Sequence, residues 1–99
     1  MVINIQKFIS STYNIPINML KGKISIKNSE QYRMYNLSII LSWLLHTTQV
    51  YGSMSTIARL HKCNMNRVHR LNSFYKNNNS FKSFVDKAIK DYKRNYASD

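Results

Sequence analysis

Residues 37–45 read Leu-Ser-Ile-Ile-Leu-Ser-Trp-Leu-Leu, an apolar run interrupted only by Ser38 and Ser42. It is about half of the ~20 residues that a membrane-spanning helix needs, so it belongs in a protein core. Ser29 is placed to cap the helix that contains it, and Glu30 lies in the first turn, where the helix dipole favours an acid. Met34, Leu37, Leu41, Leu44 and Leu45 form an apolar stripe, which Ile39, Ile40 and Trp43 widen to most of the circumference. The spacing predicts a helix over about 29–46, placed centrally with other helices on more than one side. Trp43 is expected in the core, and Met34, Met54 and Met65 as core fillers.

The rest of the chain is read around that helix. Two glycines and one proline in 99 residues leave few tight turns, so the fold expected is all-α, a small bundle of about five to six helices. A chain this short buries roughly 60–65% of its unfolded surface and makes a single domain over residues 1–99, with a core at about 3–92 and a frayed tail at 93–99. Ile5, Phe8, Ile9 and Thr12 or Tyr13 recur at helical spacing over about 4–13, with Asn4 as cap. Pro16 opens a short helix to about Leu20, and Gly22 suits the left-handed residue past its end. Lys21, Lys23 and Lys27 then alternate with Ser and Ile in a stretch that has no partner strand and is expected to be an extended loop. Residues 46–52 form a link. Ser53 or Ser55 caps a helix through about His61, a further helix runs from about Asn64 to Tyr75, and Asn77-Asn-Asn-Ser80 breaks it. The last helix, capped by Ser80, puts Phe81, Phe84, Val85, Ala88, Ile89 and Tyr92 on one face.

Charge narrows the partners. The chain carries 15 Lys plus Arg against 4 Asp plus Glu, a formal net charge of +11. Its many asparagines and 7 tyrosines fit A/T-rich codons, but acids use such codons too and are nearly absent, so the charge points to a polyanion. The single Cys63 cannot form an intramolecular disulfide, and the amino terminus has no signal-peptide pattern. The expectation is a reducing, cytoplasmic location with the nucleoid.

Residues 54–73 carry the functional reading. Two short helices joined by a three-residue turn need a small residue where they cross, and Ala58 supplies it. Ile57, Cys63, Val68 and Leu71 face the core, which is the spacing of a helix-turn-helix, with Lys62 where a turn glycine is usual. At about 100° per residue, Asn66, His69, Arg70 and Ser73 then face outward. Asn pairs with adenine, Arg with guanine, and Ser or His with several base edges, so these four are candidate base contacts. Arg59, Lys62 and Arg67 are candidate phosphate contacts. Between Gln31 and Val85 there is no Asp or Glu, whereas an ordinary solvated face mixes signs.

Other chemistries find less support. Glu30, Asp86, Asp91 and Asp99 offer no pair in a common cleft, so an enzyme is not expected. His61, Cys63 and His69 lack a fourth zinc ligand and read as a core thiol and two surface or groove-facing imidazoles. No metal or cofactor is expected. The basic C-terminal helix, with Lys87, Lys90, Lys93 and Arg94, fits a membrane surface less well, because Asp86 and Asp91 interrupt it and its apolar face is needed by the core.

With these residues in place, the chain resembles the C-terminal DNA-binding domain of the bacterial replication initiator DnaA, of the Trp-repressor-like group, over about residues 3–92. Ile5-Gln-Lys-Phe8, Tyr13-Asn-Ile15 and Leu20-Lys-Gly-Lys23 are similar to its opening helix, its Y-x-I step and the L-x-x-K before its basic loop. Arg33-Met34 resembles the start of its central helix, Ser53-Met-Ser-Thr-Ile57-Ala58 its S-L-x-x-I-G/A pattern, and Val68-His69 the L-H of its recognition helix. The resemblance implies a basic loop in a minor groove, a recognition helix in the adjacent major groove, and Lys21, Lys23, Lys27 and Arg33 as loop contacts. Cys63-Asn-Met-Asn66 stands where the family has D-H-T-T, which carries its base contacts, and the link through 47–52 is longer. There is no Gly-rich phosphate loop, so an initiator's ATPase is missing and the chain does not open an origin alone. It reads as a stand-alone relative from a phage or mobile element, or as an isolated domain. The partner expected is double-stranded DNA, bound by a monomer or a homodimer. Two alternatives stand beside origin-like recognition: a small transcription regulator of the same fold, and a module that docks on an acidic replication or transcription protein.

Overall fold

The computed structural model describes residues 2–46 and 54–96, which form six helices and, among the described residues, no strand. They are α1 (Val2–Tyr13), α2 (Ile17–Leu20), α3 (Ser29–His46), α4 (Met54–His61), α5 (Met65–Asn77) and α6 (Asn79–Tyr96). Of the link expected at 46–52, His46 ends α3; the remainder, and the cap expected at Ser53, lie outside the described residues. The protein is a small all-α bundle with a radius of gyration of 12.4 Å, close to the ~13 Å of one domain of this length.

α3 touches each of the other five helices. Its sequence dictates this, because an apolar surface that runs round the helix can leave water only when covered from several sides. Met34, Leu37, Ile39, Ile40 and Leu41 are all at or below 1% exposure, each contributing about 1.5–3 kcal/mol by burial. Trp43, Leu44 and Leu45 pack half-buried at the rim. α1 brings Ile5, Phe8 and Ile9 to the same core, and α6 brings Val85, Ala88 and Tyr92. Phe8 and Tyr92 meet edge to face at 5.5 Å. The apolar face of α6 is thus turned onto the bundle. Met65 departs from the core assignment: it is 44% exposed at the start of α5, and only Met34 and the half-buried Met54 pack as fillers.

Asparagines set the helix starts. Asn28, not Ser29, caps α3: its Oδ1 accepts from the Gln31 backbone N–H at 2.9 Å, and Gln31 Oε1 accepts in return from the Lys27 N–H at 2.8 Å. Asn64 caps α5 by accepting from the Asn66 N–H at 2.8 Å. Asn78, not Ser80, caps α6 by accepting from the Phe81 N–H at 2.8 Å, while its own N–H donates to the Phe74 carbonyl at 2.9 Å and closes α5. Each such cap is worth about 1 kcal/mol. The last helix continues through Tyr96.

Three helices stop in the same way, each with a left-handed residue followed by a backbone bond reaching five residues back. Asn14 (φ 56°) ends α1, with the Ile15 N–H on the Ser10 carbonyl at 3.1 Å. Gly22 (φ 73°) ends α2, with the Lys23 N–H on the Asn18 carbonyl at 2.8 Å. Lys62 (φ 53°) ends α4, with the Cys63 N–H on the Ala58 carbonyl at 2.9 Å. The turn between α4 and α5 therefore has the left-handed residue that glycine usually supplies, although a lysine occupies it.

Candidate nucleic-acid interface

α4 and α5, joined by residues 62–64, pack on α3 and on each other. Ile57, Ala58, Val68 and Leu71 form their shared inner side, all buried. Asn66, His69, Arg70 and Ser73 are exposed together on the outer side of α5. The Ser73 carbonyl also accepts from Asn77 Nδ2 at 2.9 Å, so the far end of that face is stiffened from within the helix.

The turn is bolted to the central helix through a histidine. His61 is fully buried, a correction to its reading as a surface or groove-facing imidazole. Its Nδ1 lies 3.1 Å from the Ile57 carbonyl, which can only accept, so Nδ1 carries the proton. Nε2 then accepts from Ser38 Oγ at 2.9 Å. Ser42 Oγ donates to the Ser38 carbonyl at 2.8 Å, and Tyr35 Oη donates to the His61 carbonyl at 2.6 Å. Burial pushes the His61 pKa down to about 4, with the Ile57 bond opposing. The ring is therefore neutral at pH 7. Burial also raises the Tyr35 hydroxyl to about 12 and pushes the Cys63 thiol up, keeping both protonated. Cys63 is half-buried beside the turn.

The basic loop starts against this turn. A Cβ on Gly22 would lie 2.7 Å from the His61 carbonyl oxygen and 2.8 Å from Lys62 Cβ, so the end of α2 and the end of α4 approach as closely as only glycine allows. Lys21 and Lys23 consequently flank a cleft with Arg59 and Lys62. A second, open groove of about 400 Å³ separates the loop from α5. Ile24 and Ile26 stand on its loop side, Asn64 and Arg70 on its α5 side, and Tyr35 is part of its wall. Ile24 is 48% exposed on the loop. Lys27 is exposed at the end of the loop, where its backbone joins the α3 cap.

Two of the expected contacts also hold helices together. Arg67 is half-buried and turned onto α3: Nη1 donates to the Tyr32 hydroxyl and to Asn36 Oδ1, the latter at 3.1 Å. Its guanidinium also stands 4.9 Å from the Tyr32 ring centre, so it clamps α5 to α3 while lining the groove between the loop and α5. Arg33 lies 3.9 Å over the Phe84 ring, joining α3 to α6. The cations that the fold gathers around the loop and turn are Lys21, Lys23, Arg59, Lys62, Arg67 and Arg70.

Sequence reasoning missed the bond between Tyr35, Ser38 and His61. A signal for it was present, since Tyr35, Ser38 and Ser42 recur at helical spacing inside an otherwise apolar helix and so must meet a polar partner. Among the described residues no three His, Cys, Asp or Glu side chains group as metal ligands, and no helix is long and apolar enough to cross a membrane. The chain matches no protein-family model, no curated protein and no solved structure.

Proposed function

We propose that the protein binds double-stranded DNA, with α5 in a major groove and the 21–27 loop in the neighbouring minor groove, as its resemblance to the DnaA C-terminal domain implies. The observation that supports this reading most is the contact of Gly22 with the α4 turn. It sets the loop lysines beside the motif and leaves Asn66, His69, Arg70 and Ser73 facing out on the adjoining helix. Arg70 and Asn66 read base edges, while Lys21, Lys23, Lys27, Arg59 and Lys62 meet phosphates or the minor groove. Arg67 and Arg33 meet the DNA backbone beside these while holding α5 and α6 on α3. The protein works with the nucleoid, in origin-like recognition, without catalysing a reaction.

The test is binding of the purified chain to a pool of random duplexes across a salt series, with the bound fraction sequenced. The expected result is one enriched A/T-containing box and a steep salt slope. An asymmetric box fits a monomer, and a palindrome fits a dimeric regulator. Arg70→Ala should cost about 1–3 kcal/mol on the preferred box and relax one base pair. Lys23→Ala should weaken all sequences alike and shallow the salt slope by roughly one unit. Equal effects of both on every sequence would remove this division of labour, and no binding at low salt would remove the proposal.

A further inference from the structure

We infer that the cleft between the start of α1 and the end of α4 takes an acidic, aliphatic segment of a partner protein. The cleft measures about 280 Å³. Its apolar wall includes Ile3 and Leu60, which are 37% and 48% exposed. Lys21, Lys23, Arg59 and Lys62 surround that wall, and among the described residues no acid lines it. Gln6 belongs to the same wall and is only 3% exposed, yet its Nε2 has no hydrogen-bond acceptor among the described residues.

These features select one occupant. The wall favours an aliphatic side chain, and the cations favour carboxylates. A peptide in which Asp alternates with Leu supplies both from neighbouring residues. A DNA backbone meets the cations at the rim but leaves Ile3 and Leu60 uncovered, because phosphate oxygens find no partner on them. Lys21, Lys23, Arg59 and Lys62 are also phosphate or minor-groove contacts in the proposed DNA complex, so peptide and duplex exclude one another. That exclusion alone rests on the DNA reading; the peptide site does not.

The full chain is titrated into fluorescently labelled acetyl-Asp-Leu-Asp-Leu-Asp-amide at low salt, and into acetyl-Asp-Ser-Asp-Ser-Asp-amide of the same charge, with anisotropy as readout. The leucine peptide is expected to bind about tenfold more tightly. Leu60→Ser, at a half-exposed position that leaves the core intact, should reduce that preference by about fivefold. Equal binding of the two peptides, or a preference that survives Leu60→Ser, overturns the inference and leaves a plain basic surface. Binding of a duplex but of neither peptide overturns it in favour of a phosphate site. A leucine-peptide preference in a chain that binds no duplex upholds the cleft and sinks the DNA reading instead.

Discussion

Gly22→Ala is the sharpest test of how the basic loop meets the motif. Alanine at φ 73° pays the left-handed penalty of about 1–2 kcal/mol. Its Cβ would also stand 2.7 Å from the His61 carbonyl oxygen and 2.8 Å from Lys62 Cβ. Neither is the free end of a flexible side chain, and the carbonyl is already fixed by Tyr35, so the backbone must shift at a cost of about 1–3 kcal/mol. The sum, about 2–5 kcal/mol, corresponds to a melting temperature lower by roughly 10–30 °C for a domain of this size. Circular dichroism at 222 nm during heating, with urea unfolding at 25 °C, measures both quantities. Lys62→Gly removes one of the two clashing atoms, so Gly22→Ala should cost about 1 kcal/mol less in that background. A loss below about 1 kcal/mol, or strict additivity of the two changes, would refute the contact between the two helix ends.

Three further outcomes follow from the packing. His61 has a folded pKa of about 4 against 6.5 for a free imidazole, so its neutral ring contributes stability in full above about pH 6.5 that is lost as pH falls toward 4, up to ~3 kcal/mol. Urea unfolding across that window should show the loss, and His61→Gln should flatten it; an identical slope in the variant would count against the buried ring. Ser38→Ala leaves His61 Nε2 without its donor and should cost about 1–3 kcal/mol in the same assay, whereas a change within error would mean that water replaces the hydroxyl. Ala58→Leu forces a larger side chain between α4 and the core at a position 4% exposed, for a loss of about 1–3 kcal/mol, and an unchanged melting temperature would mean the helices cross elsewhere.

The sequence carried the skeleton of this fold because apolar spacing and chain-stopping residues act locally. The 29–46 helix, the left-handed Gly22, the unpaired 21–27 loop and the inward Val68 and Leu71 all follow from neighbours within one or two turns. Caps were harder to place where Asn and Ser stand side by side, since either can accept the first-turn N–H; Asn28 and Asn78 outcompete Ser29 and Ser80. The fates of polar side chains were least legible. His61 and Arg67 are decided by Ser38 and Asn36 on another helix, 23 and 31 residues away in the chain. Gln6 was invisible for the same reason: the first helix alone does not show that its amide is enclosed. The face of α5 could be read because it requires only that Val68 and Leu71 be buried.

Asn78 has a consequence for how this chain can change in length over generations. One residue closes α5 and opens α6, so no slack exists between them. An inserted or deleted residue there would turn α6 by about 100° about its own axis. Val85, Ala88 and Tyr92 would swing out of the core and charged neighbours such as Asp86 and Lys87 would swing in. Relatives that keep this architecture should therefore tolerate substitution at the junction far more readily than any single-codon gain or loss.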